Sequence, residues 1–367
     1  EQVRACLPHN WKVTPPDLEE RLDLRTTHRV FSIDPPGCTD IDDALHAHPL
    51  PNGNFSVGVH IADVSHFIKE GTALDREAQS RGTSVYLVNK RIDMVPRELG
   101  EDVCSLNCQI DRFAFSVIWE MTPDAEIKDT LFAKTIIKSV HSFSYEEAQK
   151  RMDNRELHDD ITLDIRRLNG LARILRKRRL DNGALTLSSP EVKFKRDEEN
   201  ENPVDVEMYQ LRETNALVEE FMLLANVEVA KQIAKIFPAF ALLRRHPSPR
   251  QTNFDFLKRT LGRFGLDLDV STSKALADSL DTINRQDDPY FNTLVRILTT
   301  RCMTPARYFA SGSVTPKEFH HYGLAAAIYT HFTSPIRRYA DVIVHRLLAA
   351  SIGIAPLTPK LNQRSIQ

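Results

Sequence analysis

Hydrophobic and polar residues alternate in short runs along the first half of the chain, a pattern that predicts β-strands. Residues 44–50 and 54–64 flank Pro51-Asn52-Gly53, whose Asn-Gly step favours a tight hairpin turn. Residues 112–121 and 127–140 repeat the pattern around a second turn-forming stretch. This half of the chain is therefore expected to form a sheet built from hairpins.

From residue 144 the hydrophobic period changes to that of α-helices. Ser144 and Glu147 have the spacing of a capping box, and Asn182-Gly183 would end the helix that follows. The last predicted helix starts at Ser334-Pro335, because a capping residue followed by proline favours a first helical turn. The pattern predicts a mixed α+β fold. Further helices are predicted over residues 206–236, 273–284 and 290–302.

The composition of the 367 residues is that of a globular protein, with 41% hydrophobic and 27% charged residues. No apolar run approaches the roughly 18 residues that cross a bilayer, so no membrane role is implied. The five cysteines include no C-x2-C pair, which disfavours a disulfide framework or a cysteine zinc site and suggests a reducing compartment. With a net charge of −2, any nucleic-acid surface must be local. Because the chain starts at Glu1, we expect it to be a piece of a longer protein.

The most unusual stretch, residues 32–45, carries four aspartates and no lysine or arginine. It follows a predicted strand and contains Pro35-Pro36-Gly37, so a turn can bring its acidic residues together. Carboxylates this close repel one another unless cations bind, and a set of oxygen ligands favours Mg²⁺ or Mn²⁺. Two such metals about 4 Å apart would serve in-line attack of water on a phosphodiester. The four residues are Asp34, Asp40, Asp42 and Asp43.

Two other interpretations of the aspartates compete with a metal site. A calcium EF-hand fails on spacing, because Leu45 stands where its glycine belongs and Pro51 where its final glutamate belongs. A solvated acidic loop is the second alternative, but the interleaved Ile41 and Ala44 favour a turn packed into the fold.

Arg337 and Arg338 fall in the first turn of the last predicted helix, where the helix dipole disfavours cations. A bound phosphate would compensate their charge. Alternatively, Asp341 pairs with both arginines on the helix surface.

Three further features are open to either a functional or a structural interpretation. His60, Asp63 and His66 are a possible metal set, but His60 and Asp63 would face opposite sides of a strand, which favours structural roles. Tyr86 either stacks on a nucleobase or is simply an aromatic residue of the core. The basic stretch at residues 244–246 would line a phosphate track or coat a loop.

These stretches together resemble the catalytic RNB domain of the ribonuclease II family. The likeness covers roughly residues 25–355 and is most specific in TSPIRRY and in the aspartate signature. Within the family it is greatest to the eukaryotic Dis-type enzymes of the RNA exosome. The matching segments are residues 32–45, 58–67, 81–99, 103–106 and 329–349.

The resemblance implies an α+β RNB catalytic domain with a mixed β-sheet and helices packed around an RNA channel. It implies a processive, hydrolytic 3′→5′ exoribonuclease that degrades single-stranded RNA to nucleoside 5′-monophosphates. The implied cofactor is Mg²⁺, with Mn²⁺ as a substitute, and the implied partner is the RNA exosome core. The implied role is RNA processing and decay in the nucleus, both in the nucleolus and in the nucleoplasm, and also in the cytoplasm.

Carried over by motif, the four aspartates match the family's catalytic carboxylates. Asp34 and Asp43 resemble direct metal ligands, while Asp40 and Asp42 would help hold the second metal or the attacking water. Arg337 matches the arginine that steadies the scissile phosphate, with Arg338 beside it as a further RNA-binding candidate. Tyr86 matches the tyrosine that stacks near the 3′-terminal base, and Phe254 is a candidate for a second aromatic clamp.

Three segments are expected: residues 1–24 as a leader from a preceding domain, 25–355 as the exoribonuclease domain, and 356–367 as a tail. The cold-shock, S1 and PIN domains that flank this domain in the family are not visible in the sequence. Two rival functions stay open, a non-catalytic RNA-binding scaffold and a phosphohydrolase acting on small nucleotides.

Overall fold

A computed structural model describes most of the chain. The described residues are 2–8, 10–87, 90–187, 192–196, 203–208 and 211–357. The predicted tail at 356–367 lies almost wholly outside these residues, so the proposed division into three segments stays a prediction.

The β-strands fall mainly in the first half of the chain, as the alternating pattern predicts. They are Leu22–Asp23 (β1), Phe31–Asp34 (β2), Asp43–Pro49 (β3), Phe55–Ala62 (β4), Val85–Tyr86 (β5), Arg91–Ile92 (β6), Asp111–Met121 (β7), Ile127–Lys138 (β8), His141–Ser144 (β9), Val192–Arg196 (β10), Pro203–Met208 (β11), Leu242–Arg245 (β12) and Arg307–Ala310 (β13).

The longer helices follow from residue 145 onward. The helices are Pro15–Glu20 (α1), Val64–Phe67 (α2), Ala73–Arg81 (α3), Tyr145–Asp153 (α4), Asp160–Asp181 (α5), Glu213–Ile236 (α6), Asp255–Gly262 (α7), Ser273–Thr282 (α8), Phe291–Cys302 (α9) and Tyr339–Ser351 (α10).

A seven-stranded mixed sheet organises the fold, in the order β1-β8-β7-β4-β3-β2-β9. Its centre is antiparallel, and the outer pairs β1/β8 and β2/β9 are parallel. Both predicted hairpins are present. Gly53 adopts a φ of 85° in the β3–β4 turn, a backbone conformation that glycine reaches without strain. The predicted α+β fold is thus confirmed.

The sheet separates two hydrophobic clusters, because successive side chains on a strand point to opposite faces. One face of β4 and β7, including Val59, Phe115 and Trp119, packs against the apolar sides of α6 and α10. The other face, including Ala62 and Ala114, packs against the cluster around α2 and α3. Beside the turn between β2 and β3, Ile33 and Leu45 belong to the first cluster and Ile41 and Ala44 to the second, so core anchors the turn on both sides.

Three helix predictions were wrong in their bounds. The predicted helix from residue 144 is two helices, because Asp159 caps a new start at Asp160 with its side chain accepting from the Thr162 amide at 3.2 Å. The helix predicted from Val206 begins at Glu213, since residues 203–208 pair with β10 instead. The last helix begins at Tyr339 rather than at Ser334.

The late start of α10 has a local cause. Arg338 is extended, with φ −135°, and forms an isolated β-bridge with Thr83. The Tyr339 amide donates to the Gly82 carbonyl at 2.9 Å, and the Asp341 carboxylate accepts from the Ser334 amide at 2.7 Å. The Arg338 amide still donates to the Ser334 carbonyl at 3.0 Å, so one turn forms there, but the pairing of residues 338 and 339 with distant chain separates this turn from α10.

Asp63 lies at the centre of a buried ion cluster. Its fully buried carboxylate accepts from Lys134 Nζ at 2.5 Å and from Arg21 Nη2 at 2.8 Å. Burial alone would raise its pKa, but the two cations hold the pKa of Asp63 well below its usual range. His60, in contrast, bonds to His46 and Ser116. The structural interpretation of His60 and Asp63 is confirmed.

No helix in the described part of the chain is long and apolar enough to cross a membrane.

We expect Asp63→Ala to destabilise the protein by about 3–5 kcal/mol, because it leaves two buried cations unpaired. Urea denaturation of the variant and the wild type would measure the loss. Glu126→Ala, which breaks a solvent-exposed pair with Lys128, is the control and should change stability by about 0.5 kcal/mol or less. Equal effects of the two variants would contradict the role assigned to Asp63.

Candidate active site

The four aspartates lie at one end of two neighbouring strands. Asp34 is the last residue of β2 and Asp43 is the first of β3. Because Phe31 pairs with Leu45 in antiparallel register, these two strand ends meet at the same edge of the sheet. Gly37, with φ 77°, lets the connecting turn reverse the chain. The predicted convergence of the acidic residues is present.

Asp34 and Asp43 share a desolvated environment with concentrated negative charge. Burial and the neighbouring charge of Asp40 raise the pKa of Asp34 to about 6. Burial, together with the charges of Asp34 and Asp42, raises the pKa of Asp43 well above its usual range. Oδ2 of Asp34 is buried and has no hydrogen-bond partner. Asp34 Oδ2 thus lacks the contact that its burial demands, and the charge of Arg337 only partly opposes the raised pKa of Asp43.

Asp42 links the turn to the opposite end of the chain. Its Oδ1 accepts a hydrogen bond from the backbone N–H of Ile336 at 2.9 Å, and its Oδ2 lies 3.8 Å from Arg337 Nε. Burial raises the pKa of Asp42 to about 8, and the Arg337 charge only partly opposes this. The carboxylate is therefore placed by the 334–338 loop without being neutralised by it.

Asp40 is held by a cation that the sequence analysis did not identify. Arg91 Nη1 donates to Asp40 Oδ1 at 2.6 Å, and the same guanidinium also pairs with Asp93 and Glu101. The hydroxyl of Tyr86 lies 3.4 Å from the other oxygen of Asp40. The strand pair β5/β6, in which Tyr86 stands opposite Arg91, brings both side chains to the aspartates. No spacing rule would have selected Arg91 from the sequence.

Tyr86 projects its side chain outward at this site. The residue is 57% exposed, although its hydroxyl is tethered to Asp40. An exposed ring beside a carboxylate cluster can stack on a base without disturbing the core. Phe254, in contrast, is fully buried in a small hydrophobic cluster with α7 and α8, so its prediction as a second aromatic clamp was wrong.

Arg337 and Arg338 have different environments, and neither lies in the first turn of α10 as predicted. The Arg337 side chain is 40% exposed, faces Asp42, and donates to Ser334 Oγ at 2.9 Å. Arg338 makes two hydrogen bonds of 2.8 Å to Asp341. The alternative in which Asp341 pairs with both arginines thus holds for Arg338 alone, and Arg337 remains available to an anion.

The 334–338 loop has a fixed position beside the aspartates. The Arg337 carbonyl accepts from the Ser84 amide and from the Thr83 hydroxyl, each at 2.9 Å. In the stretch at 244–246, Arg244 on β12 packs over the ring of Tyr308 on β13, and Arg245 pairs with Glu318. The structure thus connects Arg337, but not Arg245, to the acidic site.

The chemistry of the site fits divalent metal ions. All its ligand atoms are carboxylate oxygens, which suit Mg²⁺ or Mn²⁺, and the unpartnered Asp34 Oδ2 and the raised pKa values mark where positive charge is needed. Among the described residues, no three of the four carboxylates have oxygens that all lie within 4.8 Å of one another. The carboxylate oxygens thus lie further apart than they would around a single bound ion.

The model of the RNB domain family matches residues 21–353, so the chain belongs to the RNB domain family. It is 61% identical over 366 residues to "Exosome complex exonuclease RRP44 homolog A" of Arabidopsis thaliana, covering 99% of this chain and 39% of that protein. The chain spans about two fifths of the length of the curated relatives that it matches.

Solved structures share the fold. The apo form of Mycoplasma genitalium RNase R superposes with a TM-score of 0.86 at 26% identity, over 100% of this chain and 58% of that one. The same protein in complex with ribose-methylated single-stranded RNA gives 0.85 at 25% identity, with the same coverage. Yeast Ssd1, described as a pseudonuclease, gives 0.78 at 28% identity, over 95% of this chain and 42% of that one.

The raised pKa of Asp42 predicts how stability depends on pH without metal. Between pH 3.8, the usual pKa of an aspartate, and about pH 8, the raised pKa of Asp42, the folded protein keeps a proton that the unfolded chain releases. Stability therefore falls as pH rises through this window. Asp42→Asn keeps the oxygen that Ile336 contacts. In EDTA it should stabilise the protein at pH 8 by at least about 1.4 kcal/mol, the equivalent of one pKa unit, and have little effect at pH 4.

Thermal denaturation of both proteins at the two pH values, with EDTA throughout, measures this difference. Parallel pH profiles for wild type and variant would show that the Asp42 carboxyl titrates normally.

Proposed function

We propose that this chain is a metal-dependent, processive 3′→5′ exoribonuclease domain that hydrolyses single-stranded RNA to nucleoside 5′-monophosphates. The observation that carries the proposal is that Arg337 lies beside the four carboxylates. The hydrogen bond from Ile336 to Asp42 holds the loop of Arg337 against the acidic turn. Membership of the RNB domain family and the exonuclease names of its relatives support it.

Each group of the site has a chemical role that its surroundings support. Arg337, exposed beside the aspartates, would neutralise the charge that builds on the scissile phosphate. Tyr86 would set the position of the terminal base by stacking. Asp40, fixed by Arg91, would orient the attacking water.

The oxygen ligands would come from Asp34, Asp40, Asp42 and Asp43. When bound there, Mg²⁺ or Mn²⁺ would supply Lewis-acid stabilisation of the phosphate oxygens and lower the pKa of the attacking water. Release of nucleoside 5′-monophosphates requires attack at the phosphorus of the 3′-terminal linkage with departure of the 3′-oxygen of the preceding nucleotide.

We also propose that the protein acts with the RNA exosome core in RNA processing and decay, in the nucleus and also in the cytoplasm. The support is the identity with a relative named as an exosome complex exonuclease. A second candidate, an RNA-binding scaffold, is favoured by the match to Ssd1, a pseudonuclease with the same fold. The four aspartates of the present chain favour the enzyme over the scaffold.

Digestion of a 5′-labelled linear RNA distinguishes these functions. With Mg²⁺ the wild type should yield a short labelled end product without populated intermediates. EDTA, a circular RNA, the matching DNA, and Asp42→Asn should each abolish the product, while the variant still binds RNA. Intact linear RNA with wild type and metal, despite binding, would favour the scaffold, and turnover that is independent of polymer length would favour a small-nucleotide phosphohydrolase.

The two adjacent arginines should differ in their effects. Arg337→Ala is expected to lower kcat by about 10²–10³-fold with little loss of stability, because the exposed guanidinium contacts the developing charge. Arg338→Ala should instead destabilise the protein by about 3–5 kcal/mol, because the fully buried Asp341 loses its partner. Single-turnover kinetics and urea denaturation of both variants test this, and a larger loss of stability in Arg337→Ala would reverse the assignment.

A further inference from the structure

A cluster of imidazoles lies on the sheet away from the aspartates. His46 and His48 are alternate residues of β3, and His28 approaches them from the segment between β1 and β2. One ring nitrogen from each of the three lies within 4.8 Å of the other two, and they are the one group of three or more metal-ligating side chains that converge this closely in the described part of the chain. Their placement on two separate segments makes this a three-dimensional arrangement rather than a histidine run.

The cluster and Asp43 occupy opposite faces of one strand. Asp43, Leu45 and Ala47 alternate with the histidines along β3, and Leu45 and Ala47 face the main core. His48 stands five positions from Asp43, which at strand spacing is about 17 Å. The imidazoles therefore cannot ligate the same ions as the carboxylates.

A buried hydrogen-bond chain lies behind His46. When Thr135 donates its hydroxyl proton to the Ala114 carbonyl at 3.3 Å, it accepts from Ser116 at 2.7 Å. Ser116 then accepts from Nδ1 of His60 at 2.7 Å.

The same series of hydrogen bonds continues to His46. Nε2 of His60 lacks the proton and accepts from Nδ1 of His46 at 2.8 Å, which leaves Nε2 of His46 with its lone pair free. Burial lowers the pKa of His60 to about 3 and that of His46 well below its usual range, so both rings are neutral at pH 7. Nε2 of His46 lies 3.2 Å from Oγ of Ser56, a hydroxyl that can rotate away from it.

The other two histidines are also suited to bind a cation. Burial lowers the pKa of His28 to about 4 and also lowers the pKa of His48, so their lone pairs are available. Nδ1 of His28 bonds to the Thr27 hydroxyl at 2.8 Å, which leaves its Nε2 for a ligand.

The charges beside the cluster do not exclude a cation. Arg29 pairs with Asp160 and Asp164, and Arg167 pairs with Asp164, each at 2.5–2.6 Å. Two arginines are thus matched by two aspartates, and the positive charges nearest His48 are neutralised.

We propose that His28, His46 and His48 form a binding site for a divalent transition metal, with zinc as the expected ion and solvent as the fourth ligand. Three neutral imidazoles with an open fourth position suit zinc, and the hydrogen bond from His46 to His60 is the outer contact that orients a ligating histidine. Tetrahedral zinc needs ligand nitrogens about 3.4 Å apart, and because the three nitrogens lie within 4.8 Å of one another, they need to approach by at most about 1.4 Å.

The test is zinc binding to tag-free purified protein in excess Mg²⁺, which occupies oxygen sites and competes poorly for imidazole. Bound zinc would be measured by competition with a chromophoric chelator, and Co²⁺ absorption would report the coordination. The variants are His48→Gln, Asp43→Asn, and, as a matched control, His158→Gln, whose histidine is exposed on the surface. Thermal denaturation and circular dichroism would confirm that each variant folds, with His28→Gln replacing His48→Gln if the latter does not.

The expected result is one zinc ion per wild-type chain, at least ten-fold weaker binding in His48→Gln, and unchanged binding in Asp43→Asn and His158→Gln. Ser116→Ala, which interrupts the chain behind His46, should weaken zinc by about 10–100-fold. Absence of zinc binding by wild type in Mg²⁺, or equal binding by His48→Gln, would overturn the proposal. Loss of binding in Asp43→Asn alone would place the zinc at the aspartates and also overturn it. None of these results depends on nuclease activity.

Discussion

Repulsion among desolvated carboxylates is the constraint around which this structure is arranged. Four aspartates meet at the edge of the central sheet, and burial raises the pKa of Asp34, Asp42 and Asp43. A fold that only needed stability would place a cation against each of them, as it does for Asp63 with Lys134 and Arg21. Here the compensation is incomplete. The unsatisfied charge is a cost to the folded chain that favours binding of divalent cations.

The site also depends on one hydrogen bond between distant parts of the chain. The Ile336 amide and the Asp42 carboxylate are 294 positions apart in sequence, yet 2.9 Å apart in the fold. This bond positions the loop that carries Arg337, and the Arg337 carbonyl is in turn held by residues 83 and 84. Because backbone contacts hold the loop, the Arg337 side chain is not needed to fix it and stays partly exposed to a ligand, although it donates to Ser334 Oγ.

The sequence predicted the sheet and the acidic turn well because both are determined locally. Asn-Gly steps, strand alternation and the Ser144 capping box act over a few residues, and the structure retains each of them. Failures occurred where distant contacts override local preference. Ser334-Pro335 has a good helix start and begins a single turn, but the bridge between Arg338 and Thr83 interrupts it, so the helix begins only at Tyr339. Arg91 was missed for the same reason, since its contact with Asp40 arises from folding and not from spacing.

A search for metal sites by cysteine spacing along the sequence does not find the histidine cluster. His46 and His48 occur in an ordinary strand sequence, and their significance depends on His28 and on the hydroxyls of Ser116 and Thr135 on neighbouring strands. Because strand side chains alternate, β3 can begin with an oxygen ligand on one face and present nitrogen ligands on the other. Hard and borderline cations prefer different donors, so the two faces can select different ions without competing. A strand with a two-residue period is thus sufficient to keep a carboxylate site and an imidazole site separate.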